Sequence, residues 1–224
     1  MSANLIPILW ESTLLTLYMV AMSTVLGTLI GAPLGIFLAT SRRGELLSAP
    51  VLNTVLGLVV NAARSTPFII LVVAIIPLTR LIAGTSIGST AAIVPLTIAA
   101  APFIARLIET AIREVDAGLI EAARAMGATP GQIVRKVLIP EAMPGIILGL
   151  TLAVVSLIGY SAMVGAVGGG GLGDLGIRYG YQRFMPEVML AVVVILILLV
   201  QAVQSCGEWI ASRFDKRAPR NRGR

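Results

Sequence analysis

Histidine is absent from the 224 residues, and cysteine occurs once, at Cys206. A lone cysteine excludes a disulfide framework within the chain. Without histidine there is also no His/Cys ligand set from which to build a zinc site, and nucleophilic triads that need an imidazole base are excluded with it. Charge is scarce: Asp, Glu, Lys and Arg make up 12% of the chain, against about 25% in an average soluble protein. The two lysines, Lys136 and Lys216, follow Arg135 and Asp215 rather than a glycine. The Gly-x-x-x-x-Gly-Lys-Ser/Thr loop that cradles nucleotide phosphates is therefore missing. Covalent catalysis is not expected, nor is a cofactor or metal bound by this chain.

What is present is apolar. Hydrophobic residues form 57% of the sequence, and hydropathy predicts an all-α, polytopic membrane protein. Residues 12–41 carry no charge, more than the ~20 residues that span a bilayer. Further spans are expected at about 50–79, 86–105, 144–166 and 188–207, five in all. Residues 1–210 then form a single transmembrane domain, and 211–224 a basic, disordered tail. No cleavable signal peptide is expected, because the first apolar run is too long and lacks a basic leader. Gly27, Gly31 and Gly35 lie in register on the first span and predict a flat seam for close helix packing. Pro67 and Pro77 are expected to bend the second span, and Pro95 and Pro102 lie in the third.

Basic residues are unevenly placed. With the N-terminus outside, Arg42, Arg43, Arg113, Arg124, Arg135, Lys136 and the tail cations face the cytoplasm, leaving Arg80, Arg178 and Arg183 outside. The net charge of +6 suits contact with anionic lipid better than nucleic-acid binding, since no basic patch is interleaved with aromatics.

The longest polar interval, residues 116–140, reads as two short helices joined by a turn. Asp116 can cap the first, with Leu119, Ala122, Ala123 and Met126 along one face. Gly127 stands where a left-handed C-terminal residue is needed. Thr129, Pro130 and Gln132 open the second helix with a capping box, and Pro140 is expected to limit its continuation. Glu121-Ala122-Ala123, Gly127 four residues on, and a closing Val137-x-Ile139-Pro140 resemble the EAA loop of ABC-importer permeases. Val and Ile here stand for the family's Ile and Leu. The resemblance implies that Glu121, Ala122, Ala123, Arg124, Gly127 and Pro140 form a coupling element seated in a separate ATPase, which would hold the ATP and Mg. Small Ala122 and Ala123 permit close seating, and Glu121 and Arg124 can pair with the partner. The plainer alternative is an amphipathic loop at the membrane surface.

Between the last two spans lies residues 165–184, with four consecutive glycines that cannot hold a stable helix in water, each costing about 1 kcal/mol against alanine. An external re-entrant or surface loop is expected, ordered by Tyr179, Tyr181 and Phe184. This stretch, continuing to Gln201-x-x-Gln204-Ser205, resembles the permease subunits of methionine importers. That resemblance implies an inner-membrane homodimer with the path between subunits, two ATPase copies, and an external binding protein delivering methionine. The small-residue seam would suit the subunit contact. Gly169, Gly170, Asp174 and Tyr179 are the expected docking residues for the binding protein. Gly171-x-Gly173-Asp174 also fits a signature of intramembrane aspartyl proteases. The chemistry needs a second carboxylate in the membrane, and Asp116 and Asp215 both lie in polar segments.

Two readings of transport compete. A gradient-driven transporter would show a carboxylate inside a span. None is expected there, with Glu109 and Glu187 at span edges, so an ATP-coupled importer is favoured; an importer for another amino acid remains the alternative within that class. Candidate pathway residues are Asn61, Arg64, Tyr160, Ser161 and Met163. Arg64 either faces a wet path, its donors met by Asn61, Ser65 and Thr66, or snorkels to the interface. Tyr160, Ser161 and Met163 either line the path, the Met163 thioether offering an adaptable apolar contact, or pack against neighbouring helices.

Overall fold

The computed structural model describes residues 5–42 and 46–214. Ten α-helical segments follow one another: α1 (Leu5–Thr40), α2 (Pro50–Ser65), α3 (Phe68–Ala74), α4 (Ile76–Ala83), α5 (Ser89–Arg113), α6 (Ala117–Ala125), α7 (Pro130–Ile133), α8 (Ile139–Ala166), α9 (Gly171–Leu175) and α10 (Pro186–Phe214). Two π-helical turns, Val134–Leu138 and Gly176–Gln182, join α7 to α8 and continue α9. No strand occurs among the described residues. Four continuous helical stretches are long and apolar enough to cross a bilayer: α1, α5, Pro130–Ala166 and α10. Counted as one span, the bent pair of α2 and α3 brings the number to five. Their outer faces carry exposed side chains such as Leu29, Val51 and Leu190, which suit hydrocarbon rather than water.

Helix α5 is the axis of the bundle. Leu96 and Ile104 are completely buried, with α1 against one side and α8 against another; α10 packs on α8. The glycine seam is spent within the chain. A Cβ added at Gly27 would lie 2.8 Å from the Ala100 Cβ, and one at Gly31 would lie 2.5 Å from the Ala101 carbonyl oxygen. Hydrogen replaces a methyl at each step, so the α1 and α5 backbones nearly touch. The expectation that this seam suits a subunit contact is corrected by that packing.

The second predicted span is also corrected. The chain turns by 101° between α2 and α3, and Ile75 separates α3 from α4. The residue before a proline is pushed out of the helical region, and Thr66 accordingly adopts φ −81°, ψ 125°. Pro67 caps α3, and Pro77 lies in the first turn of α4, where a missing N–H costs nothing. The expected bend at Pro67 is thus present, as a break between two helices, and each proline starts the helix that follows it. At the chain's end α10 runs through Phe214, so residues 211–214 of the expected tail are helical; the remainder of that tail, like Arg43, lies outside the described residues.

The polar interval folds much as its local signals dictate. The Asp116 carboxylate accepts from the Gly118 amide at 2.7 Å. Thr129 and Gln132 exchange hydrogen bonds in a complete capping box. Gly127 has φ +80°, and its amide donates to the Arg124 carbonyl while that of Ala128 donates to the Ala123 carbonyl. That pair of bonds is a Schellman closure, which only a residue at ease with positive φ can complete. Thr129→Ala should lower local stability by about 1 kcal/mol, seen as faster hydrogen exchange at Gly131 and Gln132 with the transmembrane amides unchanged.

Pro140 does not end the second helix. The chain runs unbroken from Pro130 to Ala166. A proline ring clashes with the carbonyl four residues back in an α-helix. Here the preceding turn is widened: the Ile139 amide donates to Val134, five residues back. That extra residue per turn relieves the clash, and Pro140 enters α8 in its first turn.

Candidate functional site

Three groups of residues concentrate the polar chemistry of the bundle. The first is the elbow of α6 and α7. Ala123 is 3% exposed and packs into the same core as Ile133 and Leu138, which anchors the elbow to the bundle. Leu119, Ala122 and Met126 instead form an exposed apolar stripe, Met126 being 81% exposed. The single face expected for these four residues is therefore two faces, one inward at Ala123 and one outward. Glu121 and Arg124 are exposed. Arg124 also borders a cavity of ≈ 270 Å³ at the elbow's root, shared with Thr40, Arg113, Ile120 and Leu138. Pro140 is exposed and lies in the first turn of α8, beyond the elbow's two helices.

A second group was not expected. Glu109 is 3% exposed and lies near the end of α5, which runs on to Arg113. Its carboxylate meets Arg106 at 2.5 Å and Arg113 at 2.8 Å, with Arg42 at 3.6 Å. Arg106 also donates to the Asn61 side-chain carbonyl at 2.5 Å, and Arg113 donates to the Leu38 carbonyl at 3.1 Å. One carboxylate thus ties α5 to the end of α1 and to α2. The sequence signal was Arg106-x-x-Glu109-x-x-x-Arg113, a double i,i+3 and i,i+4 pairing on one helix face.

The third group is a cavity of ≈ 220 Å³ between the α2–α3 break, α5 and α8. Arg64 and Tyr160 both line it, with Phe68 and Phe103. The Phe68 and Tyr160 rings stack at 4.4 Å between centroids, and the Arg64 guanidinium lies 5.7 Å from the Phe103 centroid. The other candidate pathway residues point elsewhere. Asn61 is held by Arg106. The Ser161 hydroxyl is buried and donates to the Ile158 carbonyl, and Met163, 47% exposed, is not among the residues lining this cavity. The expected satisfaction of Arg64 by its neighbours also fails: Ser65 donates to the Asn61 backbone carbonyl and Thr66 to that of Ala62.

At the opposite end of the bundle from the elbow, the glycine-rich stretch is folded rather than loose. Its Leu172 amide donates to the Thr16 hydroxyl at 2.9 Å, and Leu172 and Leu175 pack with Val188 and Val192 of α10. Gly169 is buried, a Cβ there meeting the Val164 carbonyl at 2.9 Å. It cannot offer a docking surface, and a bulky residue there would disturb packing first. Gly170 has open space beside it but a φ of +78° that a larger residue strains. Asp174 pairs with Arg178. That hydrogen bond, and then the opposite charge, raises the Arg178 pKa from its ordinary value. Tyr179 is half-buried beneath Arg183, 4.4 Å from its centroid. Tyr181 and Phe184, 70% and 86% exposed, are the aromatic groups that this end presents outward.

Known proteins resemble the chain along nearly its whole length. A probable D-methionine transport system permease protein of Vibrio cholerae is 56% identical over 210 residues, covering 94% of this chain and 93% of its own. The D-methionine transport system permease protein of Escherichia coli K12 is 54% identical over 156 residues, 70% of either chain. Among solved structures, a chain of the MetNI methionine ABC transporter in inward-facing conformations is 49% identical. It superposes with a TM-score of 0.94, covering 96% of this chain and all of its own. An amino acid ABC transporter solved with histidines shares the fold at a TM-score of 0.77 and 22% identity. The family described as the inner membrane component of binding-protein-dependent transport systems matches residues 31–218. A bundle of apolar helices with an outward-facing polar elbow is what such a component requires, and this chain belongs to that family.

Proposed function

We propose that this chain is the permease of an ATP-driven methionine importer, working as a homodimer with two ATPase subunits and an external binding protein. The observation that carries the reading is the elbow. Its α6 stripe of Leu119, Ala122 and Met126 is apolar, exposed and unused by the chain itself, while its inner face is rigidly anchored. A surface of that kind suits a protein partner that must push on the bundle. The names of the close relatives supply the cargo. Lacking a phosphate loop, the chain needs a partner for hydrolysis.

The elbow lies at the cytoplasmic side in this reading, and the N-terminus outside. Arg42, Arg113, Arg124, Arg135, Lys136 and Arg213 gather at the elbow end, against Arg80, Arg178 and Arg183 at the other, the asymmetry that positive-inside counting uses. The exposed aromatics Tyr181 and Phe184 then stand with Asp174 and Tyr179 on the side where a binding protein would arrive. ATP binding draws the ATPases together and moves the elbows; the path opens outward to the loaded binding protein, and hydrolysis returns it inward. Glu109, the one carboxylate buried inside α5, already holds three guanidinium groups. It is not free to carry an ion down a gradient.

The test is uptake of labelled methionine into proteoliposomes holding the permease and its ATPase, with binding protein outside and ATP inside. Ala122→Trp and Glu121→Ala alter only exposed atoms, so uptake should fall about tenfold or more at unchanged thermal stability, a coupling loss of about 1.4 kcal/mol or greater. Gly127 is a poorer probe, since losing its positive φ strains the turn itself by about 1–2 kcal/mol. Uptake driven by an ion gradient in the chain alone would overturn the reading. ATP-dependent uptake of a different amino acid would keep the machine and replace the cargo.

A further inference from the structure

We infer that the cavity at the α2–α3 break is a solute station inside the permease, in which Arg64 binds the α-carboxylate of the carried amino acid. The inference deepens the importer reading and rests on it. Arg64 is the cation of the cavity wall, and no Asp or Glu shares that wall. Among the described residues no side-chain oxygen near it in sequence accepts from Arg64: the Asn61 side chain accepts from Arg106, and the Ser65 and Thr66 hydroxyls are turned to donate to the Asn61 and Ala62 carbonyls. At 5.7 Å from the Phe103 centroid the guanidinium is at the outer limit of a cation–π contact. Its planar fork of donors is thus held in place but left for a planar, bidentate acceptor.

The break supplies the complementary group. In a helix the Ala63 carbonyl would accept from the amide four residues on, but that residue is Pro67, which has none. Ala63 lines the same cavity. The end of α2 also carries the negative pole of its helix. An ammonium group is therefore satisfied within reach of the arginine without any acidic side chain. The remaining wall is aromatic: the parallel Phe68 and Tyr160 rings and the Phe103 ring. Aromatic rings receive a thioether through sulfur–ring contacts and adapt to an unbranched side chain. Cation, helix-end carbonyls and ring wall together match a free zwitterionic amino acid with an apolar, sulfur-bearing side chain. A peptide, whose neighbouring amide replaces one charged end, leaves either the arginine or the carbonyls unmet.

The station is tested on the complete permease–ATPase complex in lipid nanodiscs, without binding protein, using a diazirine analogue of methionine as photoprobe and mass spectrometry of the labelled peptides. Label is expected on the α3 segment around Phe68, on Phe103 or on Tyr160, and methionine should compete it away while methioninamide, lacking the carboxylate, should not. Arg64→Gln should lower that labelling about tenfold or more, the loss that follows removal of a charge-assisted hydrogen bond; Arg64→Lys should restore part of it. Label confined to other segments, or equal competition by methioninamide, overturns the station. So does an Arg64→Gln complex labelled as well as the parent. The parent complex is followed in the uptake assay alongside: parent uptake of methionine with no Arg64-dependent label sinks the station alone, whereas absence of methionine uptake by the parent sinks the importer reading and the station with it.

Discussion

Gly31→Val should prevent the bundle from assembling, or leave it at least about 3 kcal/mol less stable, the upper range of overpacking costs. A Cβ at this position meets the Ala101 carbonyl oxygen at 2.5 Å, and behind it the Ala105 amide nitrogen at 3.2 Å. Those atoms are backbone, so no side chain can swing aside. The only relief is to push α1 away from α5 along the most extensive helix interface of the fold. In lipid that interface has no hydrophobic effect to restore it, because acyl chains solvate a separated helix as well as a neighbour does. Close-packed dispersion contacts hold it, and these weaken steeply with a small gap. Gly57→Val is the control: that glycine lies in α2 with open space around it, and since valine is the better helix former the change should be neutral or stabilising by less than about 1 kcal/mol. Thermal unfolding of the two variants in detergent separates the cases. Equal midpoints would mean that the seam tolerates side chains.

The second large effect is expected at Glu109. Glu109→Ala removes the carboxylate that pairs with Arg42, Arg106 and Arg113 at once. Breaking a fully buried pair on one side costs roughly 3–5 kcal/mol. Here the arginine side chains retain 53%, 27% and 27% exposure, and water screens the cations left behind, so about 2–3 kcal/mol is expected. Glu109→Gln keeps an acceptor and the volume but loses the charge, and should fall between. Arg42→Ala, acting at 3.6 Å from an exposed position, should cost less than about 1 kcal/mol. A ranking of Ala below Gln below parent in unfolding midpoint, with Arg42→Ala near parent, supports this account. A Glu109→Ala protein as stable as the parent would show that the cluster is decorative.

The parts of this molecule that are local were legible in its sequence. Asp116, Thr129 with Gln132, and Gly127 satisfy backbone groups within a few residues of themselves, so reading them requires no knowledge of the rest of the chain. Pro140 misled because its reading was local when the answer was not: the widened turn before it is held by Ile133 and Leu138, both buried in the core. Arg64 interrupts the hydropathy of the second span and its prolines announced a bend, but hydropathy is blind to chain direction, and the 101° turn at Thr66-Pro67 is sharper than a kink. Glu109 was missed where the charge of Arg106 ended a hydropathy window, although the helix continues to Arg113. The glycine register announced a close approach but not its partner. Within the candidate pathway, Tyr160 and its neighbour Ser161 diverge because each residue turns about 100° around a helix, at 3.6 residues per turn. Arg64, distant in sequence from Tyr160, reaches the same cavity through the fold.

The widened turn at Val134–Leu138 has a mechanical meaning. By absorbing Pro140 it leaves the 37 residues from Pro130 to Ala166 as one helical stretch, with Pro144 inside it, about 55 Å long at 1.5 Å per residue. One end carries the elbow's second helix. The other is clasped by the glycine-rich turn, where the Gly165 position fits directly against the backbone of Gly173 and Asp174. A hydrogen-bonded helix lengthens little under load, so displacement along its axis at one end is passed to the other. The compliance lies instead across the bundle, at Thr66 and Pro67, where the chain has a true corner. Displacement is therefore conducted by one wall of the molecule and accommodated by another.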